Sequence, residues 1–473
     1  MNFNHYKSLN DPRKAAFDAL EKAKKAQVKL NAVVTFVDPT HEVEALSSID
    51  PTVKMFGVPI VLKDNVNTYG ILTTAGSRIL GNYVPAYDAT IAQKLRAAGA
   101  ILIAKSSLDE FGMGGTNLSA ATGPVYNPYD QSRMSGGSSG GSAVLVASGV
   151  VPFAIGSDTG DSVRKPASFN GIIGFKPTYG RISRYGIIPY ASSLDHVAFF
   201  TRNVHDTAVA LEVLAGRDDR DMTSLDLPVP AYSENLDGNL QGKKIGILVN
   251  VVRAITNPQI QSTFAKLVSQ LKTAGAEIVE IELDVALLSA ILPTYYIIAN
   301  AEATANHSNL DGLRFGVQLP GTDVDEVMSA SRTAGFGKLI RKRFVIGSYA
   351  LFVENQDKLF RKAQKVRRLI VEELKKALDQ VDGLIAPASA GIAPKLDDTS
   401  LDQLSSTYLI AENFMVMGNF SGCPSITLPM GYCDGLPVGV NLTCRLYDEQ
   451  TTLDLALAIE TCTGLADTIK EVA

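Results

Sequence analysis

The sequence predicts an α/β fold built on a largely buried sheet, and two observations carry that expectation. The first is a recurring order of amphipathic helix, glycine stop and apolar strand. It occurs at 90–98, Gly99 and 100–104, again at 260–274, Gly275 and 276–283, and again at 362–378, Asp382-Gly383 and 384–386. Glycine just past a helix, followed by a short apolar run, is the grammar of helices packed on strands. Only the grammar recurs; the segments are not sequence repeats. The second is composition: 473 residues, 46% hydrophobic and 20% charged, suffice for a large core. That length fits two to three domains or one large α/β enzyme fold.

The elements follow in order. Segment 11–30 places Ala15, Leu20, Ala23 and 26–28 at helical spacing among lysines and acids. Segment 57–64, GVPIVLKD, reads as a short buried strand that ends on Lys63 and Asp64. Segment 244–249, KIGILV, is a second strand of the buried type. Residues 218–239, rich in acids and prolines, form a surface connection. Near the end, 424–430 and 436–442 flank the turn residues GYCDG at 431–435 and predict a hairpin.

Charge and cysteine usage exclude several classes. The net charge of −5 argues against this chain alone gripping a phosphate backbone, which needs a basic surface. The N-terminal segment lacks the apolar core of a signal peptide. Segments 134–157 and 285–312 are poor in charge, but the first is Gly/Ser-rich and the second carries Pro293 and polar residues, so neither reads as a membrane span. Cys423, Cys433, Cys444 and Cys462 form no C-x-x-C pair and have no histidine nearby, so no zinc or other metal site is expected. They read as free thiols of a reducing cytoplasm.

The chemistry concentrates in residues 134–166, MSGGSSGGSAVLVASGVVPFAIGSDTGDSVRKP. Gly/Ser clusters there bracket an apolar run, 143–155, which a flexible linker would not bury. The text GGSSG at 136–140 satisfies the nucleophile-elbow pattern around Ser138, with His196, His205 or His307 as the required base. The polar, turn-rich 125–134 stands where that pattern needs a strand, which counts against it. No phosphate-cradling loop is present. The other serine, Ser162, follows a strand at 150–155 and a tight polar turn whose N–H groups can converge on an oxyanion. A serine short of histidines needs another base, and a lysine serves if burial keeps it neutral. Lys63 fits, although a lone strand-end lysine more often snorkels outward or pairs with a neighbour such as Asp64.

These residues resemble the amidase signature family, marked by GGSSGG followed by G-S-D-x-G-x-S-[IV]-R-x-P. The resemblance is densest from Gly57 to Asp206, through GVPIVLKDN, GPVYNPYDQSR, GFKPTYGRISRYG and ASSLD, and weaker to the end. Within the family the chain is similar to the amidase subunits of bacterial tRNA-dependent amidotransferases. The resemblance implies a large mixed sheet flanked by helices on both faces, in a single amidase domain over 1–473. Its core would span about 56–210 and its helical, substrate-pocket region about 250–380. It implies Ser162 as nucleophile, Ser138 as bridging serine and Lys63 as base, with the amides of Thr159, Gly160, Asp161 and Ser162 as oxyanion hole. A structural hydrogen-bonding role falls to Ser139. Tyr295, Arg343 and Glu412 match substrate-binding positions, the arginine for a carboxylate and the acid for an amino group.

The implied activity is glutamine hydrolysis that supplies ammonia for converting Glu-tRNA(Gln), or Asp-tRNA(Asn), to the amidated form. The implied partners are a B subunit, which uses ATP and magnesium, and a small C subunit, in the cytoplasm, with no membrane and no cofactor held by this chain. The alternatives are a stand-alone amidase and a catalytically weak scaffold subunit. Three departures from the family pattern stand out: Asp161 where glycine is usual, Glu412 where aspartate is usual, and Ala198-Phe199 where Gly-Pro is usual. The expectation for Asp161 is that it points away from the reacting atoms, pairs with Arg164 or Lys165, or caps the next helical turn.

Overall fold

The structure is a computed structural model and describes residues 2–9, 11–398, 405 and 407–472. Its centre is one sheet of 11 strands. In chain order these are β1 (Val33–Phe36), β2 (Pro59–Lys63), β3 (Ile101–Ser106), β4 (Phe153–Asp158), β5 (Ile173–Lys176) and β6 (His196–Thr201). Then follow β7 (Lys244–Leu248), β8 (Glu277–Ile281), β9 (Gly383–Pro387), β10 (Ser425–Cys433) and β11 (Leu436–Cys444). Their spatial order is β1-β3-β2-β4-β6-β5-β10-β11-β9-β7-β8.

The sheet is mixed. Toward one end, inside the edge strand β1 that pairs antiparallel with β3, strands β3, β2 and β4 run parallel, and β9, β7 and β8 run parallel at the other end. Between them β6, β5, β10 and β11 pair antiparallel. Each of the three helix-glycine-strand units is present: helices Thr90–Ala97, Pro258–Thr273 and Phe360–Leu378 lead into β3, β8 and β9. The expected hairpin is β10–β11, and segment 11–30 is the helix Pro12–Leu30, capped by Asp11.

The 285–312 stretch forms the continuous helix Val285–Asn306 despite Pro293, a helix apolar and long enough by composition alone to cross a membrane. Here it packs against the helices Lys338–Leu351 and Phe360–Leu378, with Leu288, Ile291, Leu292 and Ile298 buried. Each such side chain removed from water contributes about 1.5–3 kcal/mol, which together outweighs the roughly 3 kcal/mol cost of an internal proline.

Parallel pairing of β2 with β4 positions the site. The register sets Ile60 opposite Phe153 and Val61 opposite Ala154, so both strands end on the same side. Lys63, the last residue of β2, therefore emerges beside the end of β4. All five residues of β2 are buried, and Lys63 is 0% exposed. A lysine there cannot snorkel to water.

Candidate active site

Four oxygens surround Lys63 Nζ: Ser138 Oγ and Ser139 Oγ at 2.8 Å each, Ser157 Oγ at 2.9 Å and Ser157 O at 3.3 Å. Burial pushes its pKa down to about 7, with Asp109, Asp158 and Asp195 opposing the shift. Desolvation disfavours the ammonium, and hydroxyls and a carbonyl do not compensate as a carboxylate would. The neighbouring Asp64 does not serve as partner; it pairs with Lys105, itself buried, at 3.5 Å. A neutral amine keeps two N–H donors for the Ser139 and Ser157 oxygens and turns its lone pair to the Ser138 hydroxyl.

Ser138 is held by a chain that only glycine allows. Gly136 has φ of +75°. A Cβ on Gly137 would lie 2.2 Å from Asp109 Oδ2 and 2.6 Å from Asn117 N. Asp109 in turn donates its N–H to Ser138 O (3.1 Å) and accepts from Asn117 N (2.8 Å), Thr116 N (3.2 Å) and Ser119 Oγ (2.8 Å). The helix Gly140–Ala147, buried throughout, follows directly.

Ser162 lies in the turn between β4 and the helix Arg164–Asn170, 3% exposed. That turn is tied at its base. Asp158 accepts from Val163 N (3.0 Å), from Arg164 Nε (3.1 Å) and Nη2 (2.9 Å), and from Asn419 Nδ2 (2.9 Å). Burial alone would raise the Asp158 pKa, but the Arg164 guanidinium and these bonds hold it well below the usual carboxylate range. With Val163 and Arg164 N–H turned to Asp158, the N–H groups of Thr159, Gly160, Asp161 and Ser162 donate no hydrogen bond among the described residues. Four N–H donors left free in one turn are what an oxyanion hole requires. Thr159 Oγ1 donates to Asp195 Oδ1 (2.7 Å), which steadies the turn from its other side.

The two loops meet through backbone, Ser139 N–H donating to Ser162 O at 3.2 Å. The Ser162 hydroxyl makes no hydrogen bond among the described residues, so the structure joins Lys63 to Ser138 directly but not Ser138 to Ser162. Catalytic hydrogen bonds of this kind often close only with substrate bound. The elbow alternative has no base. Ser138 Oγ faces Lys63, His196 is buried against Leu194 O (2.7 Å), His205 sits beside Asp206, and His307 stacks on Phe111 with its pKa pushed down to about 3 by burial.

A cavity of about 310 Å³ opens beside this centre, lined by Gly160, Asp161, Lys165, Tyr295, Arg343 and Glu412 among others. Tyr295 rests on Gly160, its hydroxyl 3.2 Å from where a Cβ would be. Arg343 donates from Nη1 to Tyr190 OH at 2.7 Å and lies over the Tyr296 ring, 5.2 Å from its centroid. Glu412 accepts from Lys165 Nζ at 2.8 Å, from Ser389 Oγ at 2.9 Å and from Ala390 N at 2.7 Å. Asp161 pairs with Lys165 at 3.2 Å, as one expectation had it, and has no left-handed φ. It faces the cavity rather than away from it, and the carboxylate that caps the following helix is Asp158.

A profile of the amidase family matches residues 15–453. The chain belongs to the amidase signature family. Among curated amidases it is 41% identical to the glutamyl-tRNA(Gln) amidotransferase A subunit of Koribacter versatilis, over 87% of this chain and 85% of the relative. It is 40% identical to the corresponding protein of Deinococcus radiodurans, over 95% of this chain and 93% of the relative. Among solved amidases, the glutamyl-tRNA(Gln) amidotransferase A subunit of Thermotoga maritima superposes with a TM-score of 0.84 at 32% identity, covering 100% of this chain and 98% of that one. A bacterial aryl acylamidase at 24% identity shares the fold with a TM-score of 0.85.

The amidase site also holds groups for which the sequence alone suggested no catalytic or binding role. Ser157 and Asn65, whose Nδ2 donates to Ser157 Oγ at 3.1 Å, complete the shell of Lys63. Asp109, Asp158 with Arg164, and Asn419 build the two serine loops. Lys165 and Tyr408 join the cavity wall. Ser157 carried one usable signal: a polar residue closing an apolar strand just before the turn.

Proposed function

We propose that this chain is the glutaminase subunit of a tRNA-dependent amidotransferase, acting through Ser162, Ser138 and Lys63. The observation that carries the reading is the buried Lys63 amine, its pKa pushed down to about 7, lying 2.8 Å from Ser138 Oγ. Lys63 takes the proton of Ser138 as Ser138 takes that of Ser162, and Ser162 Oγ adds to the side-chain amide carbon of glutamine. The amides of 159–162 receive the oxyanion. The relay returns its proton to the departing nitrogen, the C–N bond breaks, ammonia leaves and a glutamyl ester remains on Ser162. Water, deprotonated through the same relay, hydrolyses that ester to glutamate and restores the serine.

Arg343 pairs with the substrate's α-carboxylate, its guanidinium fixed by Tyr190, while Tyr295 closes the wall over Gly160. Glu412 stands on the side assigned to the amino group. The relatives, amidotransferases of glutamyl-tRNA(Gln), support the pathway. In it, ammonia passes to a B subunit that amidates Glu-tRNA(Gln), or Asp-tRNA(Asn), with ATP and magnesium, and a C subunit joins the two in the cytoplasm. This chain itself, in this reading, holds no cofactor or metal and works as a single amidase domain.

The test uses the complex of the chain with its B and C subunits. Ser162→Ala abolishes amidation of Glu-tRNA(Gln) supported by glutamine and leaves amidation supported by free ammonia intact. Loss of both, or of neither, contradicts the reading. A second reading, a stand-alone amidase, draws on a solved amidase at 28% identity and a TM-score of 0.81; it requires amide hydrolysis by the chain without partners.

A further inference from the structure

Resemblance assigns the substrate's amino group to Glu412, but the hydrogen bonds around that side chain leave it little to offer. Its Oε1 already accepts from Ser389 Oγ at 2.9 Å and Ala390 N at 2.7 Å, and its Oε2 from Lys165 Nζ at 2.8 Å. Lys165 is equally occupied. Its ammonium has three donors, and they meet Glu412 Oε2, the Glu412 carbonyl and Asp161 Oδ2.

Asp161 differs. One oxygen, Oδ2, lies 3.2 Å from Lys165 Nζ, and Oδ1 accepts no hydrogen bond among the described residues. The side chain keeps 18% exposure and lines the cavity one residue before Ser162. Two carboxylates thus share one ammonium, and one negative charge at that wall lacks a partner. The open oxygen on the cavity wall is free to accept from a cationic group that enters the cavity. Arg343, on the same cavity, supplies a positive charge for a carboxylate. Together the walls complement a substrate carrying both a carboxylate and an ammonium group.

We propose that Asp161 is the residue that receives the substrate's ammonium group, with Lys165 and Glu412 holding its carboxylate in place. Asp161 is then a specificity-determining residue: it selects an amide that carries a cationic amine over the same amide without one. This inference rests on the glutaminase reading and moves the amine contact from Glu412, where resemblance put it, to a position the family usually gives to glycine. Lys165 is the counter-charge that makes a carboxylate tolerable beside the nucleophile, because it draws Asp161 Oδ2 toward Glu412 and away from the four N–H groups of the turn.

The experiment compares hydrolysis of glutamine with that of 4-carbamoylbutanoate, which is glutamine without its amino group, by the chain in complex with its B and C subunits. Wild type prefers glutamine. Asp161→Asn raises the KM for glutamine about tenfold to a hundredfold, the range for a lost hydrogen bond to a charged group, changes kcat less, and leaves the KM for 4-carbamoylbutanoate unchanged or lower. Asp161→Ser repeats the comparison should the asparagine variant be insoluble. An unchanged preference in both variants, or equal loss on both substrates, overturns the proposal, as does a preference lost only in Glu412→Gln. Wild type that hydrolyses neither amide overturns the glutaminase reading itself, and the Asp161 proposal with it.

Discussion

At the residue scale the chemistry depends on one proton missing from one amine. The groups in direct contact with Lys63 are hydroxyls and a carbonyl. Burial is the largest influence that sets this lysine apart from a solvated one, and it outweighs the opposing charges of Asp109, Asp158 and Asp195. Its pKa near 7 makes the pH profile diagnostic. Protonation of Lys63 removes the lone pair that faces Ser138, so kcat/KM for glutamine falls about tenfold per unit as pH drops below about 7 and levels off above it, a single ionisation of the free enzyme. Lys63→Met removes the base while filling the same space. Steady-state kinetics of that variant show a loss of about 10²–10⁴-fold, with the pH dependence gone.

At the scale of elements, the two serine loops are shaped by different means. The Ser138 loop is shaped by the absence of side chains at Gly136, packed against Phe169 and Pro166, and at Gly137, packed against Asp109. The Ser162 turn is shaped by one buried ion pair, Asp158 with Arg164, both 0% exposed. Removing one member of such a pair leaves the other charge buried without a partner, at a cost of about 3–5 kcal/mol. Asp158→Ala accordingly lowers stability by about that amount in denaturant unfolding and frees Val163 and Arg164 N–H. Glutamine hydrolysis falls with it, even though Asp158 touches no substrate. Gly137→Ala places a methyl group within 2.2 Å of Asp109 Oδ2 and, in a soluble-expression assay, yields chain that folds poorly or has lost activity.

At the scale of the whole molecule, what was legible follows sequence distance. The helix-glycine-strand units and the β10–β11 hairpin depend on local periodicity and appear where the residues put them. Ser138 and Ser162 were legible because Gly/Ser text brackets a buried run, and Lys63 because an apolar strand ends on it. The antiparallel β6 and β5, set between β4 and the distant β10, carry no local sign of direction. The helix Val285–Asn306 crosses Pro293 because tertiary packing outweighs propensity. Ser157 beside Lys63 follows from the β2–β4 register, which periodicity does not show. Lys165 meets Glu412 across 247 positions of sequence, and only the folded chain reveals that this one ammonium serves both Asp161 and Glu412.

Two serines compete for the role of nucleophile, and only one of them matches a familiar textual motif. The most direct measurement is covalent labelling by a small sulfonyl fluoride, with the modified residue located by peptide mass mapping. The label falls on Ser162 in wild type, its rate rises to a plateau above about pH 7, and it is lost in Lys63→Met. A label on Ser138 with Ser162 unmodified would contradict the assignment of nucleophile and relay.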